Sequence, residues 1–334
     1  MISHPLEQHI RYLGSRLQAK GPSILFYYLT LRCNSKCGYC HVPSISSPAD
    51  AKLEDVIENL HCAKKMGITH LIPTGGEPLL FTDLKPVLEA AKRLGFHVTL
   101  TTNGLNYSKR AYELVGLIDN LEFSLPAADP QTYYRERGVN GYTKVIDALK
   151  LAIDLGEKPA VSATITNNTI SQIDSLVELT QDLGVMLLIK PAFRYFGNRS
   201  LDWEETRHFR RFENTRNVWY NDAFIEFVIS GGNRTDSPRC RALVSTIAIS
   251  PNNGLHLPCF HHVQEELPID GNLERAMRSS RVQAYRQNRG RWSFCEGCYV
   301  ICYFEDAFLW PPGRLIVKDL LSRIRWLDCW RRYH

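Results

Sequence analysis

The 334-residue chain carries 40 Lys and Arg against 35 Asp and Glu, a net charge of +5, with 44% hydrophobic residues. Such a chain can bury a full core in one large domain or two, and its charge is too mild to argue for a nucleic-acid enzyme. No apolar run reaches the roughly 18–20 residues of a membrane span, and Met1-Ile2-Ser3-His4-Pro5 lacks a secretory signal.

A cytoplasmic location is therefore expected, where ten cysteines read as metal ligands rather than disulfides. Residues 1–21 form a short amphipathic lead-in. Ile24–Leu29 is a buried-type strand feeding a cysteine loop. After Pro48 the pattern Leu53, Val56, Ile57, Leu60, Cys62, Ala63 predicts a helix stopped by Gly67. Strand Thr69–Pro73, helix Leu84–Leu94, strand Phe96–Thr101, a helix near Tyr112–Val115 and strand Leu121–Leu125 follow. Helix Val145–Leu155, strand Ala160–Thr166, helix Ile173–Leu183 and strand Val185–Ile189 complete six strand–helix steps. Strands this apolar are covered on both faces, which means parallel β with crossover helices and a site at the strands' C-terminal ends.

Residues 199–239 then read as a polar, aromatic linker, with one helix expected over 199–221 and a boundary at Gly231-Gly232. From 240 to 302 the alternation is replaced by recurring cysteines. In the tail, 303–334, Val317, Leu320, Leu321, Ile324 and Leu327 fall on one helical face, ringed by Trp310, Trp326, Trp330 and six Lys/Arg beginning at Arg314. A helix capping a barrel with its solvated face outward is the favoured reading. A peripheral membrane helix and a dimer contact are the alternatives.

The chemistry starts at Cys33, Cys37 and Cys40, spaced Cys-x3-Cys-x2-Cys. Three thiolates on one loop can hold three irons of a [4Fe–4S] cubane and leave the fourth open to a small molecule; a zinc knuckle is the alternative. The spacing, with Tyr39 before the last cysteine, resembles the radical SAM superfamily. So does Gly75-Gly76-Glu77-Pro78 at the second strand end, where glycines allow close backbone approach and a carboxylate could accept from an ammonium group.

The resemblance implies a partial (β/α)6 barrel over residues 22–198, S-adenosylmethionine (SAM) on the open iron, and a 5′-deoxyadenosyl radical that takes hydrogen from a substrate. It places Thr102, Asn103, Ser124, Arg137 and Thr164 near SAM. Here Ser124-Leu125 is followed by Pro126 where relatives often have Asp, so that aspartate's role does not carry over.

Seven cysteines remain beyond these three. Cys62 reads as core packing and Cys329 lies in the tail. Cys240, Cys259, Cys295 and Cys298 resemble the SPASM/twitch module, implying one auxiliary [4Fe–4S] cluster with no open iron. Cys302 is a rival ligand, and zinc on the same residues is the alternative. His261 and His262 are candidates for a catalytic base.

An external flavodoxin or ferredoxin would supply electrons. A ribosomally made peptide or protein is the favoured substrate, although about 32 residues before Cys33 are too few for a leader-binding domain. A small molecule or lipid is the second choice, and a non-catalytic iron–sulfur carrier the third.

Overall fold

The computed structural model describes residues 21–42, 49–193, 201, 203–304, 307–308, 313 and 315–333. Most of the lead-in, Pro48, Arg199, Trp310 and Arg314 lie outside these. Strands β1 (Ile24–Thr30), β2 (His70–Gly75), β3 (His97–Thr102), β4 (Asn120–Ser124), β5 (Ala160–Ile165) and β6 (Met186–Pro191) alternate with α1 (Leu53–Lys65), α2 (Leu84–Arg93), α3 (Tyr107–Leu114), the adjacent α4 (Pro130–Arg137) and α5 (Tyr142–Asp154), and α6 (Ile173–Asp182). All six strands pair in parallel in sequence order, with registers such as Ile24↔His70 and Ala160↔Met186.

Each strand is buried on both sides for different reasons. Leu25, Tyr27, Leu29, Leu71, Val98, Leu100, Phe123, Val161 and Leu187 pack outward against the helices in one large core. Each such side chain is worth roughly 1.5–3 kcal/mol of burial. By the two-residue period of a strand, Ile24, Phe26, His70, Thr99, Glu122, Leu188 and Lys190 face the barrel interior. This layer is mixed, polar among apolar, so it is built to surround something rather than to pack solid.

Helix α4 went unpredicted because its composition is polar and it shows no apolar stripe. Its signals are punctuation: the Asp129 carboxylate accepts from the Gln131 and Thr132 amides, Pro130 occupies the first turn, and Gly138 (φ +64) ends it. The single helix expected over 199–221 is instead α7 (Trp203–Arg207), a 3₁₀ turn (His208–Phe212) and a two-residue strand, β7 (Val218–Trp219), that extends the sheet beside β6. Its aromatics do not share one face: Phe209 and Phe212 are buried in the main core, whereas Trp219 packs in a separate cluster at the barrel base.

After α8 (Asp222–Ile229), the chain returns to the other edge of the sheet. β8 (Thr246–Ile249) pairs in parallel with β1, followed by antiparallel β9 (Gly254–Pro258) and β10 (Val263–Pro268). The cysteine-rich segment is thus continuous with the barrel sheet. Helices α9 (Leu273–Arg278) and α10 (Ser280–Asn288) lead to the last cysteines, and α11 (Leu315–Tyr333) covers the barrel base under β5, β6 and β7, packing on Ala160, Met186 and Trp219.

The cap was expected to turn a solvated polar face outward. Its inner face sets polar groups among Leu315, Trp326 and Cys329: Asn221 donates to Asp319 (2.8 Å), the Trp219 indole N–H to the Ser322 carbonyl (2.9 Å) and the Asp222 amide to the Ser322 hydroxyl (2.9 Å). Val317, Leu320, Leu321 and Ile324 point outward. Polar groups at the start of α8 dictate this orientation, because buried donors and acceptors require partners.

Candidate active site

The cysteine loop leaves the C-terminal end of β1 and is fastened from three sides. The Lys36 amide donates to the Arg137 carbonyl (2.8 Å) and the Gly38 amide to the Glu136 carbonyl (3.3 Å), so the loop hangs on the end of α4. Asn103, just past β3, donates from its side chain to Asn34 (2.6 Å). The Arg137 guanidinium donates to the Tyr39 hydroxyl (3.1 Å). Gly138 is needed where a Cβ would strike the Lys36 carbonyl. Arg137 and Tyr39, both expected near SAM, therefore meet each other beneath the triad.

Burial pushes the Cys33 thiol up to about 11, helped by Glu77 and the neighbouring thiols and opposed by the Ser35 amide; burial also raises Cys40. Thiols in such a site become thiolates when a cation or cluster supplies the positive charge.

Gly75-Gly76-Glu77 crosses this loop so closely that a Cβ on Gly75 would overlap the Thr30 carbonyl and one on Gly76 the Arg32 carbonyl. The Gly76 and Glu77 amides donate to those same two carbonyls, each at 2.8 Å. The glycines thus serve first to let two backbone segments touch. The Glu77 carboxylate is buried and takes three donors: the Thr102 hydroxyl (2.7 Å), the Asn103 amide (2.7 Å) and the Leu79 amide (3.1 Å). Burial raises its pKa against those hydrogen bonds. Glu77 fastens β2 to β3 and caps the turn begun by Pro78, and Thr102 is spent on the same link. Ser124 and Thr164 stand at the matching ends of β4 and β5, on the inward-facing register.

A second cysteine site lies in the C-terminal region. Cys240, Cys259, Cys295 and Cys298 line one cavity of about 70 Å³, joined by His261, His262, Phe294 and Tyr303. Cys302 lines the barrel interior instead. Three segments bring the four together. Asn233 is the clamp, donating to the Gly290 (2.9 Å) and Cys295 (3.1 Å) carbonyls and accepting from the Arg239 amide (3.0 Å). Burial lifts Cys259 to about 12 and Cys295 to about 11.

A single metal ion needs donors converging to roughly 2–2.3 Å. Among the described residues no three His, Cys, Asp or Glu do so. His261 is buried here, its pKa pushed down to about 3 by burial, and His262 stacks on Phe294 at 4.4 Å. Both candidate bases therefore belong to this cavity.

Below the triad runs a chamber of about 550 Å³ inside the barrel. Its upper part carries Thr101, Glu122 and Lys190, the last two ion-paired at 2.8 Å. Lower down are His70 and His97, their rings 4.3 Å apart, then Trp219, Trp326 and Trp330. Exposed Val115, Gly116, Gly156 and Lys158 form its mouth at the base. Phe26, Tyr28, Phe260 and Cys302 pack where the C-terminal region meets the barrel's inner face. Strand period two marks the chamber's lining in the sequence, whereas which residues of the expected capping helix reach the chamber, Trp326 and Trp330 among them, does not follow from it.

A match to the radical SAM superfamily covers residues 27–180. It implies a [4Fe–4S] cluster and SAM, for which the triad loop supplies a fitting donor set. Proteins named Probable GTP 3',8-cyclase are similar: one from Saccharolobus islandicus is 33% identical over 163 residues, 47% of this chain and 52% of that protein. One from Sulfurisphaera tokodaii is 34% identical over 167 residues, 47% of this chain and 51% of that protein. The chain spans about half the length of these curated relatives.

Among solved structures, Streptococcus suis SuiB bound to S-adenosylmethionine aligns with a TM-score of 0.65 at 19% identity, covering 84% of this chain and 70% of SuiB. The anSMEcpe structure with bound AdoMet aligns at 0.62 and 16%, covering 80% and 83%. These two share the α/β fold of β-strands in parallel with covering helices.

Proposed function

We propose that this chain is a radical SAM oxidoreductase that cleaves SAM reductively, takes hydrogen from a substrate and uses an auxiliary cluster for oxidation or crosslinking. The observation that carries this reading is the separation of two cysteine sites. Three cysteines sit on one loop, and four surround a small cavity on the far side of β1. In this reading Cys33, Cys37 and Cys40 hold the open-iron cluster, and Cys240, Cys259, Cys295 and Cys298 hold the closed one. When bound, the first cluster supplies the electron that breaks the sulfonium and the second accepts or relays one.

The chain's own residues bind, orient and exclude water. The Gly75–Glu77 crossing and the Asn34–Asn103 bond fix the triad loop against the strand ends where Ser124 and Thr164 would meet SAM. The apolar contacts of Phe26, Tyr28 and Phe260 keep water from the wall between the two sites. A flavodoxin or ferredoxin would be the electron donor.

A peptide or protein is the first substrate choice; proteins of similar fold were solved with the precursor peptide SuiA or the Kp18Cys peptide bound. The chamber favours a second reading, a small molecule or lipid, because α11 floors it and its size is that of a small-ligand pocket. The test is anaerobic reconstitution, then reduction with SAM. About eight irons per chain and accumulation of 5′-deoxyadenosine are expected. A fully reconstituted protein that forms none would refute the proposal.

A further inference from the structure

Arginine accumulates beside the second cysteine site. From Arg275 to Cys295 the chain carries six arginines and no acid. Arg278 is paired with Glu274 (2.5 Å) and Arg281 with Glu265 (2.6 Å). Arg289 and Arg291 instead meet Arg239 around a depression of about 420 Å³, whose remaining lining is Ser237, Pro238 and Gln287. No carboxylate lines it, and none of its three guanidiniums is ion-paired among the described residues. The acids nearest in the chain are already engaged, Asp236 by Arg234 (2.7 Å) and Glu296 by the Thr235 amide (2.8 Å). The uncompensated charge is felt locally: burial and then Arg289 hold the Arg286 pKa below its ordinary value.

Two of the three are held in place by backbone. Arg289 donates to the Cys240 (3.1 Å) and Arg286 (2.7 Å) carbonyls, and Arg239 to the Ala307 carbonyl (3.2 Å). A carbonyl fixes a guanidinium without cancelling its charge. Arg291, Ser237 and Gln287 are exposed, so the positive face is open to a partner.

Where this face lies says what it meets. Gly290, between two of the arginines, runs so close to Cys240 that a Cβ on it would come within 2.9 Å of the cysteine's own Cβ. Asn233 donates to the Gly290 carbonyl (2.9 Å) while it clamps Cys295. The depression thus backs directly onto the four-cysteine cavity, yet shares no lining residue with it or with the barrel chamber. An anion held there is outside the space a substrate would occupy and beside a candidate redox site.

We propose that Arg239, Arg289 and Arg291 form the docking surface for an acidic electron-carrier protein, whose carboxylates pair with the three guanidiniums. Docking sets the carrier against the Cys240 side of the second site. Transfer of one electron from the carrier's reduced centre to a cluster on the four cysteines rests on the functional reading above, but docking does not.

The experiment is anaerobic calorimetric titration of the reconstituted full chain with an oxidised acidic flavodoxin and, separately, an acidic [2Fe–2S] ferredoxin. Wild type is expected to bind at least one of them, with an affinity that falls at least about tenfold between about 50 and about 300 mM salt. Arg291→Glu should weaken that binding at least about tenfold at low salt, while circular dichroism and iron content hold. Lys150→Glu, an equal charge reversal at an exposed position on α5, should stay within about twofold of wild type. If Arg291→Glu loses iron or unfolds, Arg291→Gln carries the same test with a loss of about threefold.

Wild type that binds neither carrier, binding indifferent to salt, or equal weakening by Arg291→Glu and Lys150→Glu overturns the proposal. So does inorganic phosphate that binds wild type and not Arg291→Glu when neither carrier binds, which assigns the depression to a small anion. None of these readouts needs SAM cleavage, so a chain that forms no 5′-deoxyadenosine leaves the docking result intact.

Discussion

The two cysteine sites are built by opposite means. The first concentrates its donors within Cys33–Cys40 and borrows its rigidity from elsewhere, through α4, Asn103 and the Gly75–Glu77 crossing. The second collects four donors from segments up to 58 residues apart in numbering, Cys240 to Cys298, and holds them with internal bonds centred on Asn233. A local loop can keep one ligand position open because the fold, not the metal, sets its shape. A dispersed site is completed by the group it binds, so binding there is also folding energy.

The largest expected effect tests that contrast. Cys33→Ala, Cys37→Ala and Cys40→Ala together should cut 5′-deoxyadenosine formation by at least about a hundredfold, with thermal unfolding of the barrel little changed. Cys259→Ala with Cys298→Ala should lose about four irons and loosen residues 233–304 to proteolysis, while the barrel strands keep their hydrogen-exchange protection. Equal destabilisation by both sets would erase the distinction.

Next in size is the crossing. Gly75→Ala forces a Cβ into the Thr30 carbonyl at φ +142, a loss of more than about 3 kcal/mol in denaturant unfolding. Glu77→Gln presents an amide N–H₂ to donors and should cost about 1–3 kcal/mol. A Glu77→Gln protein of full stability would show that the three-donor arrangement is not what joins β2 to β3.

The smallest effect is on pH. Burial holds the His97 pKa below its ordinary 6.5, against the pull of Asp119. A lowered folded value means that its stability contribution is complete above the unfolded pKa and is lost as pH falls through the folded one. His97→Gln should flatten the stability profile in that acid range, measured by melting at stepped pH.

The same contrast explains what the sequence revealed. The parallel core was legible because Leu25, Leu71, Val98 and Phe123 recur with strand period and stop at glycines. The triad was legible because its donors are adjacent in the chain. The polar helix α4 was missed because its function is in its ends, Asp129-Pro130 and Gly138, rather than in a stripe. The reversed cap was missed because an apolar stripe does not say which side a helix presents; Asn221, Asp222 and Trp219 decide that, about a hundred residues away. Cys302 could not be sorted from its neighbours by spacing alone; it packs against the same apolar cluster as Cys240, Cys259 and Cys298 but lines the barrel chamber rather than the four-cysteine cavity.

The central claim is that the two sites are separable in chemistry as they are in space. The most direct measurement is 5′-deoxyadenosine formed per chain under anaerobic reduction with SAM, compared across wild type, the triad variant and Cys259→Ala/Cys298→Ala. The account predicts formation by wild type, none by the triad variant, and continued formation by the double variant within about tenfold of wild type. Formation by the triad variant, or its complete loss in the double variant while the barrel stays folded, would contradict it.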